Sequence, residues 1–106
     1  MKIVINKNST VAMVQQQFNE QYPFLKVVFL KNIGGFTHRA SIRIDAKRTV
    51  SEIEKDFKQE AGVSVKIFRR SGNVLVETSL TSDWTLESQN KEGEQISAHF
   101  VVNTTH

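Results

Sequence analysis

The apolar positions change period along this chain, and each change outlines an element. Ile3 and Ile5 alternate with Lys2, Val4 and Asn6, the period of a short strand with one buried face. Val11, Val14, Phe18 and Tyr22 then recur at helical spacing, with Ser9 offered as an N-cap and Pro23 as a stop. Phe24 to Leu30 is apolar on both faces, and alternation resumes at Ala40, Ile42 and Ile44. Gly34-Gly35 lies between these two runs. A Gly-Gly pair suits a two-residue turn, so the spacing predicts a central hairpin over Phe24–Asp45. Folding there sets Val27 against Ile42 and Leu25 against Ile44 on one face. The other face then sets Lys26 against Arg43, a like-charge pair that needs an acidic neighbour.

The second half repeats the first. A shift of 39 residues lays Ile3 and Ile5 on Ile42 and Ile44, Thr10-Val11 on Thr49-Val50, Val14 on Ile53, Phe18 on Phe57, and Phe29 on Phe68. The second helix is the better marked. Thr49 and Glu52 form a capping box, Val50, Ile53, Phe57 and Ala61 form the apolar stripe, and Gly62 is its end. Val63 to Arg70 reads as a strand, and a turn at Ser71-Gly72 folds Asn73 to Thr78 back upon it. In the tail, Asp83 caps a short helix from Trp84 to Glu92, and Gly93 stops it. Ala98, Phe100 and Val102 then alternate like a last strand, and the end frays from Asn103. Trp84 reads as the anchor that pins this tail to the body.

The expected class is therefore α+β: a two-layer, ferredoxin-like β-α-β-β-α-β sandwich with one sheet in the order 4-1-3-2. A C-terminal hairpin strand and a helix-containing tail extend it. Residues 1–81 form the core with its added strand, and 82–106 form the tail packed upon it, all as a single domain.

At 106 residues, with ordinary apolar content, the chain can bury roughly two-thirds of its unfolded surface. Its apolar runs fall short of the ~20 residues of a membrane span, and it opens directly on a strand pattern rather than a signal peptide. The absence of cysteine removes disulfides and thiolate chemistry and fits a reducing, cytoplasmic setting. Charge is unevenly spread. Residues 1–70 carry 13 Lys and Arg against 6 Asp and Glu, and residues 71–106 carry 1 against 5, giving +7 and −4. The halves therefore either face each other or each meet a charged partner.

Candidate chemistry follows from the open sheet face, expected to show Lys2, Val4, Asn6, Lys26, Val28, Leu30, Arg39, Ser41, Arg43, Lys66, Phe68 and Arg70. The partner-binding candidates are Lys26, Val28, Arg39, Arg43, Phe68 and Arg70, with Phe36 exposed at the hairpin tip. This layout resembles that of RNA-recognition sheets. Their aromatic signature belongs on the two central strands, where this chain has Val4, Ser41 and Arg43 and leaves only Phe68 to stack. Acylphosphatases share the ferredoxin-like layout but hold phosphate with a glycine-rich loop and an arginine, neither of which occurs in Lys7-Asn8-Ser9-Thr10. His38, His99 and His106 have no metal-ligand spacing, and a nucleophile elbow is absent. The expectation is a non-enzymatic binding or regulatory module without cofactor, metal or small-molecule substrate. It would act through a protein partner or by self-association through the sheet, where the second strand offers an edge. The alternative is a nucleic-acid-binding module using the basic face.

Overall fold

The computed structural model describes residues 1–31 and 33–104. Its elements are β1 (Lys2–Ile5), α1 (Val11–Gln21), β2 (Leu25–Phe29), β3 (Ala40–Arg43), α2 (Val50–Ala61), β4 (Val65–Ser71), β5 (Val74–Glu77) and α3 (Leu86–Thr104), with one 3₁₀ turn at Ser79–Thr81. The class is α+β, with two antiparallel sheets and three helices.

The helices begin and end where their residues can satisfy terminal backbone groups. The Thr10 and Thr49 side chains, equivalent in the repeat, accept from the Met13 and Glu52 amides at the starts of α1 and α2. Glu52 returns the bond to Thr49, and Gly62 closes α2 in the left-handed region at φ 70°. Ser9, expected to cap α1, accepts from the Asn6 amide instead.

The strands pair differently from the expected single sheet. β1 pairs with β3, setting Ile3 opposite Ile42, while β2 pairs with β4, setting Val27 opposite Ile67. The Phe24–Asp45 hairpin does not form, because β2 and β3 lie in different sheets. The alternation in Leu25, Val27 and Phe29 complements any strand with one apolar face, and Val65 and Ile67 serve as well as Ile42 and Ile44. Phe36 folds inward rather than projecting. It is 5% exposed and meets the Phe29 ring edge-on at 5.9 Å.

The pairing expresses the sequence repeat in space. Each β-α-β unit gives one strand to each sheet, and each ladder joins equivalent strands antiparallel, the arrangement of an approximate two-fold axis. α1 packs on β1 and β2, and α2 packs on β3 and β4. Ile3, Ile5, Val14, Phe18, Leu25, Val27, Ile42, Ile44, Ile53, Phe57 and Ile67 meet in one core.

Helix side chains complete the sheet where strands are missing. Asn19 and Gln15 of α1 donate to the Leu25 and Val27 carbonyls, at 3.1 and 2.9 Å, on the side of β2 away from β4. Glu54, the repeat equivalent of Gln15, accepts from the Ile67 amide at 2.9 Å, and Thr78 donates to the Ile67 carbonyl at 2.6 Å. These bonds satisfy backbone groups that no strand reaches, and those of Gln15 and Asn19 occupy two carbonyls on the β2 edge expected to pair with a second copy.

The tail is a single helix. Its expected strand over Ala98–Val102 lies within α3, and Gly93 sits inside the helix rather than stopping it. Gly93 is required by closeness: a Cβ there would stand 2.9 Å from the Arg70 carbonyl oxygen and from the Phe24 Cβ. Thr85, not Asp83, accepts from the Ser88 amide at the helix start. Leu86 is the fully buried anchor, and Trp84 remains 38% exposed. Polar bonds add to this docking. Asn90 accepts from the Phe24 amide and Ser97 from the Gly72 amide. Buried Gln89 links Arg69 to Thr81. Thr105 and His106, expected in the frayed end, lie outside the described residues.

Candidate functional site

The expected basic face divides into two. Lys2, Val4, Ser41 and Arg43 point outward from the β1–β3 sheet, whereas Lys26, Val28, Lys66, Phe68 and Arg70 point outward from β2–β4–β5. Of the candidates, Lys26, Val28, Phe68 and Arg70 come together. Arg43 belongs to the other sheet, Arg39 lies just ahead of its strand β3, and Phe36 belongs to the core.

On β2–β4–β5 the ladder sets Lys26 beside Phe68 and Phe68 beside Glu77. Lys66 stands beside Val28, and Arg70 beside Leu75. The register between β4 and β5 differs by two residues from the expected one, so Lys66 does not oppose Glu77. The reason is the turn. Gly72, at φ 65°, takes its first central position and Asn73 its second, as glycine-first hairpin turns require. Side chains keep their faces because the difference is even. Val28 and Phe68 are half-buried, and Lys26 and Arg70 are exposed. Lys26 and Arg70 also line a shallow groove of about 280 Å³ with Gln15, Gln16 and Asn19 of α1. The Lys66 ammonium donates to the Ser79 hydroxyl at 3.0 Å. None of these three cations pairs with a carboxylate among the described residues.

On the β1–β3 sheet the like-charge pair is Lys2 with Arg43 rather than Lys26 with Arg43. Asp45 relieves it, receiving Arg43 at 2.7 Å and the chain's amino terminus at 3.3 Å. The Arg43 hydrogen bond, followed by that of the amino terminus, lowers the Asp45 pKa. Arg43 thus has a carboxylate partner, and its side chain stays 69% exposed. Arg39 lines a broad groove of about 600 Å³ with Val4, Asn6, Lys7, Asn8, Ser41 and Glu60.

Among the described residues, no carboxylate of α3 pairs with a cation of the expected basic face. Glu87 of α3 pairs with Lys47, while Arg48 meets Asp56 at 2.6 Å and Glu52 at 3.7 Å. The Arg48 pKa is raised, chiefly by its hydrogen bond to Asp56. Among the described residues, no group of three or more His, Cys, Asp or Glu could hold a metal ion. No described helix is long and apolar enough to cross a membrane.

Sequence reasoning missed the edge-sealing roles of Gln15, Asn19 and Glu54. The repeat held one signal for them, since Gln15 and Glu54 are equivalent under the 39-residue shift. No protein-family model matches the chain, and no curated protein or solved structure shows significant similarity to it.

Proposed function

We propose that this chain is a non-enzymatic binding module acting through protein contacts, with its site on the outer face of β2–β4–β5. The observation behind the reading is three cations without carboxylate partners among the described residues, Lys26, Lys66 and Arg70, set around half-buried Val28 and Phe68. The fitting partner is an acidic segment that carries apolar side chains. Its carboxylates would meet the three cations, and its apolar groups would cover Phe68 and Val28.

Phe68 favours a second reading, in which a base stacks on the ring and phosphates meet the same cations. Fluorescence anisotropy separates the two, using a labelled peptide of alternating Glu and Phe and a labelled oligo-dT strand over a salt series. The expected result is peptide binding that weakens about tenfold on Lys26→Glu or Arg70→Glu. Oligonucleotide binding with a steep salt slope, and no peptide binding, overturns the protein-partner reading. Peptide binding that ignores both charge reversals removes the site from this face.

A further inference from the structure

The edges of the β2–β4–β5 sheet are not treated alike. On β2 the free Leu25 and Val27 carbonyls are taken by Asn19 and Gln15. On β4, where β5 has ended, the Ile67 amide and carbonyl are taken by Glu54 and Thr78. β5 has no such cover. The Arg70 amide bonds to the Phe24 carbonyl, so the alternating ladder turns Arg69 and Ser71 toward Val76 and Val74. The Leu75 and Glu77 amides and carbonyls therefore face outward, and nothing among the described residues bonds to them. Val74 is 57% exposed along the same edge, and Leu80, just beyond it, is wholly exposed.

We propose that β5 is a self-association edge, through which two copies of this chain pair antiparallel about Val76. The two β2–β4–β5 sheets then become one sheet of six strands. In this register Leu75 of one copy exchanges backbone bonds with Glu77 of the other, twice by symmetry. Leu80 follows β5 toward the Gly72-Asn73 turn of the second copy.

Charge selects a second copy as the occupant. Glu77 is the only acid in β2, β4 and β5. Pairing about Val76 places it beside the second copy's Leu75, two strand spacings from that copy's Arg70. That separation is about 10 Å, which an extended arginine and a glutamate close between them. The β1–β3 sheet also has free edges, but it carries Lys2 and Arg43, Arg39 just precedes it, and the adjoining Asp45 is already engaged. A second copy would meet like charge there, which guards those edges against self-pairing.

Sedimentation equilibrium of the full chain, from micromolar to near-millimolar protein, tests the proposal. The expected result is a mass that rises toward twice that of the chain. Leu75→Pro removes an outward N–H and no β4–β5 bond, so it leaves a folded monomer. Glu77→Arg weakens association about tenfold, and adding Arg70→Glu restores it. One chain mass at every concentration overturns the proposal. So does either single variant assembling like the parent, or a double variant no better than Glu77→Arg. If Leu75→Pro fails to fold, Glu77→Arg decides alone, because its exposed side chain makes no bond within the described residues. Leu75→Pro and Glu77→Arg both keep the three cations of the basic face, so lost association with retained peptide binding separates this proposal from the acidic-segment reading.

Discussion

Gly93→Ala is expected to loosen α3, although the same change stabilises an ordinary helix. In an open helix, alanine gains about 0.8–1.0 kcal/mol over glycine. Here the new methyl would stand 2.9 Å from the Arg70 carbonyl oxygen, 2.9 Å from the Phe24 Cβ and 3.0 Å from the Arg69 Cγ. Carbon contacts settle near 3.5–4.0 Å, so all three are compressed. The first two atoms belong to backbone or sit next to it and have no rotamer that moves them away. Overpacking of this kind costs about 1–3 kcal/mol, and rigid neighbours put the cost in the upper part of that range. The net expectation is a loss of about 1–2 kcal/mol in the docking of α3.

The loss should appear locally, because among the described side chains of this helix Leu86 is the fully buried apolar one, and a set of hydrogen bonds holds the rest. The Phe24 and Gly72 amides bond to Asn90 at 2.8 Å and to Ser97 at 3.1 Å. Hydrogen exchange at those two amides should quicken about tenfold for each 1.4 kcal/mol lost. Gly34→Ala, with no atom within 4 Å of the new Cβ, is the control and should change little. Unchanged or slower exchange at Phe24 and Gly72 in Gly93→Ala would refute the close approach of α3 to β4.

Three further outcomes are expected. Phe36→Ala should cost about 3–5 kcal/mol in urea unfolding, since the ring is buried against Phe29; a surface residue would give a near-neutral result. Glu54→Ala should cost about 1–3 kcal/mol by leaving the Ile67 amide without a partner, with faster exchange of that amide as the local sign. Acid should destabilise the fold as carboxylates with lowered pKa are titrated. The Asp45 pKa is lowered chiefly by the Arg43 hydrogen bond, and the Glu52 pKa chiefly by the Thr49 backbone N–H. A group whose folded pKa is depressed contributes above its unfolded pKa and loses that contribution as pH falls through the folded one. Thermal melts should therefore begin to fall below about pH 5 and continue to fall below pH ~4. Asp45→Asn should remove part of that dependence.

Much of this chain is written locally. Thr10 and Thr49 start helices because a threonine oxygen meets a free amide, and Gly62 ends one because it alone enters the left-handed region without strain. Period alone placed Ile3, Ile5, Val14, Phe18, Ile53, Phe57 and Ile67 inside. The repeat gave two equivalent units, as observed. Alternation likewise placed Lys26, Val28, Phe68 and Arg70 on one side of their strands, which is how that part of the candidate site was legible.

The choice of strand neighbours was not local. β2 buries its Leu25 and Val27 face, and β3 and β4 both offer a complement to it, so side-chain period could not decide between them. The three-dimensional packing decided. With α1 and α2 each bridging one strand of either sheet, equivalent strands meet across an approximate two-fold axis. That separation moved Arg39 and Arg43 away from Lys26 and drew Phe36 into the core. Gly93 read as a helix stop because glycine often is one. Only the nearness of β4 gave it a different use, as the one residue whose missing side chain lets a helix lie against a strand.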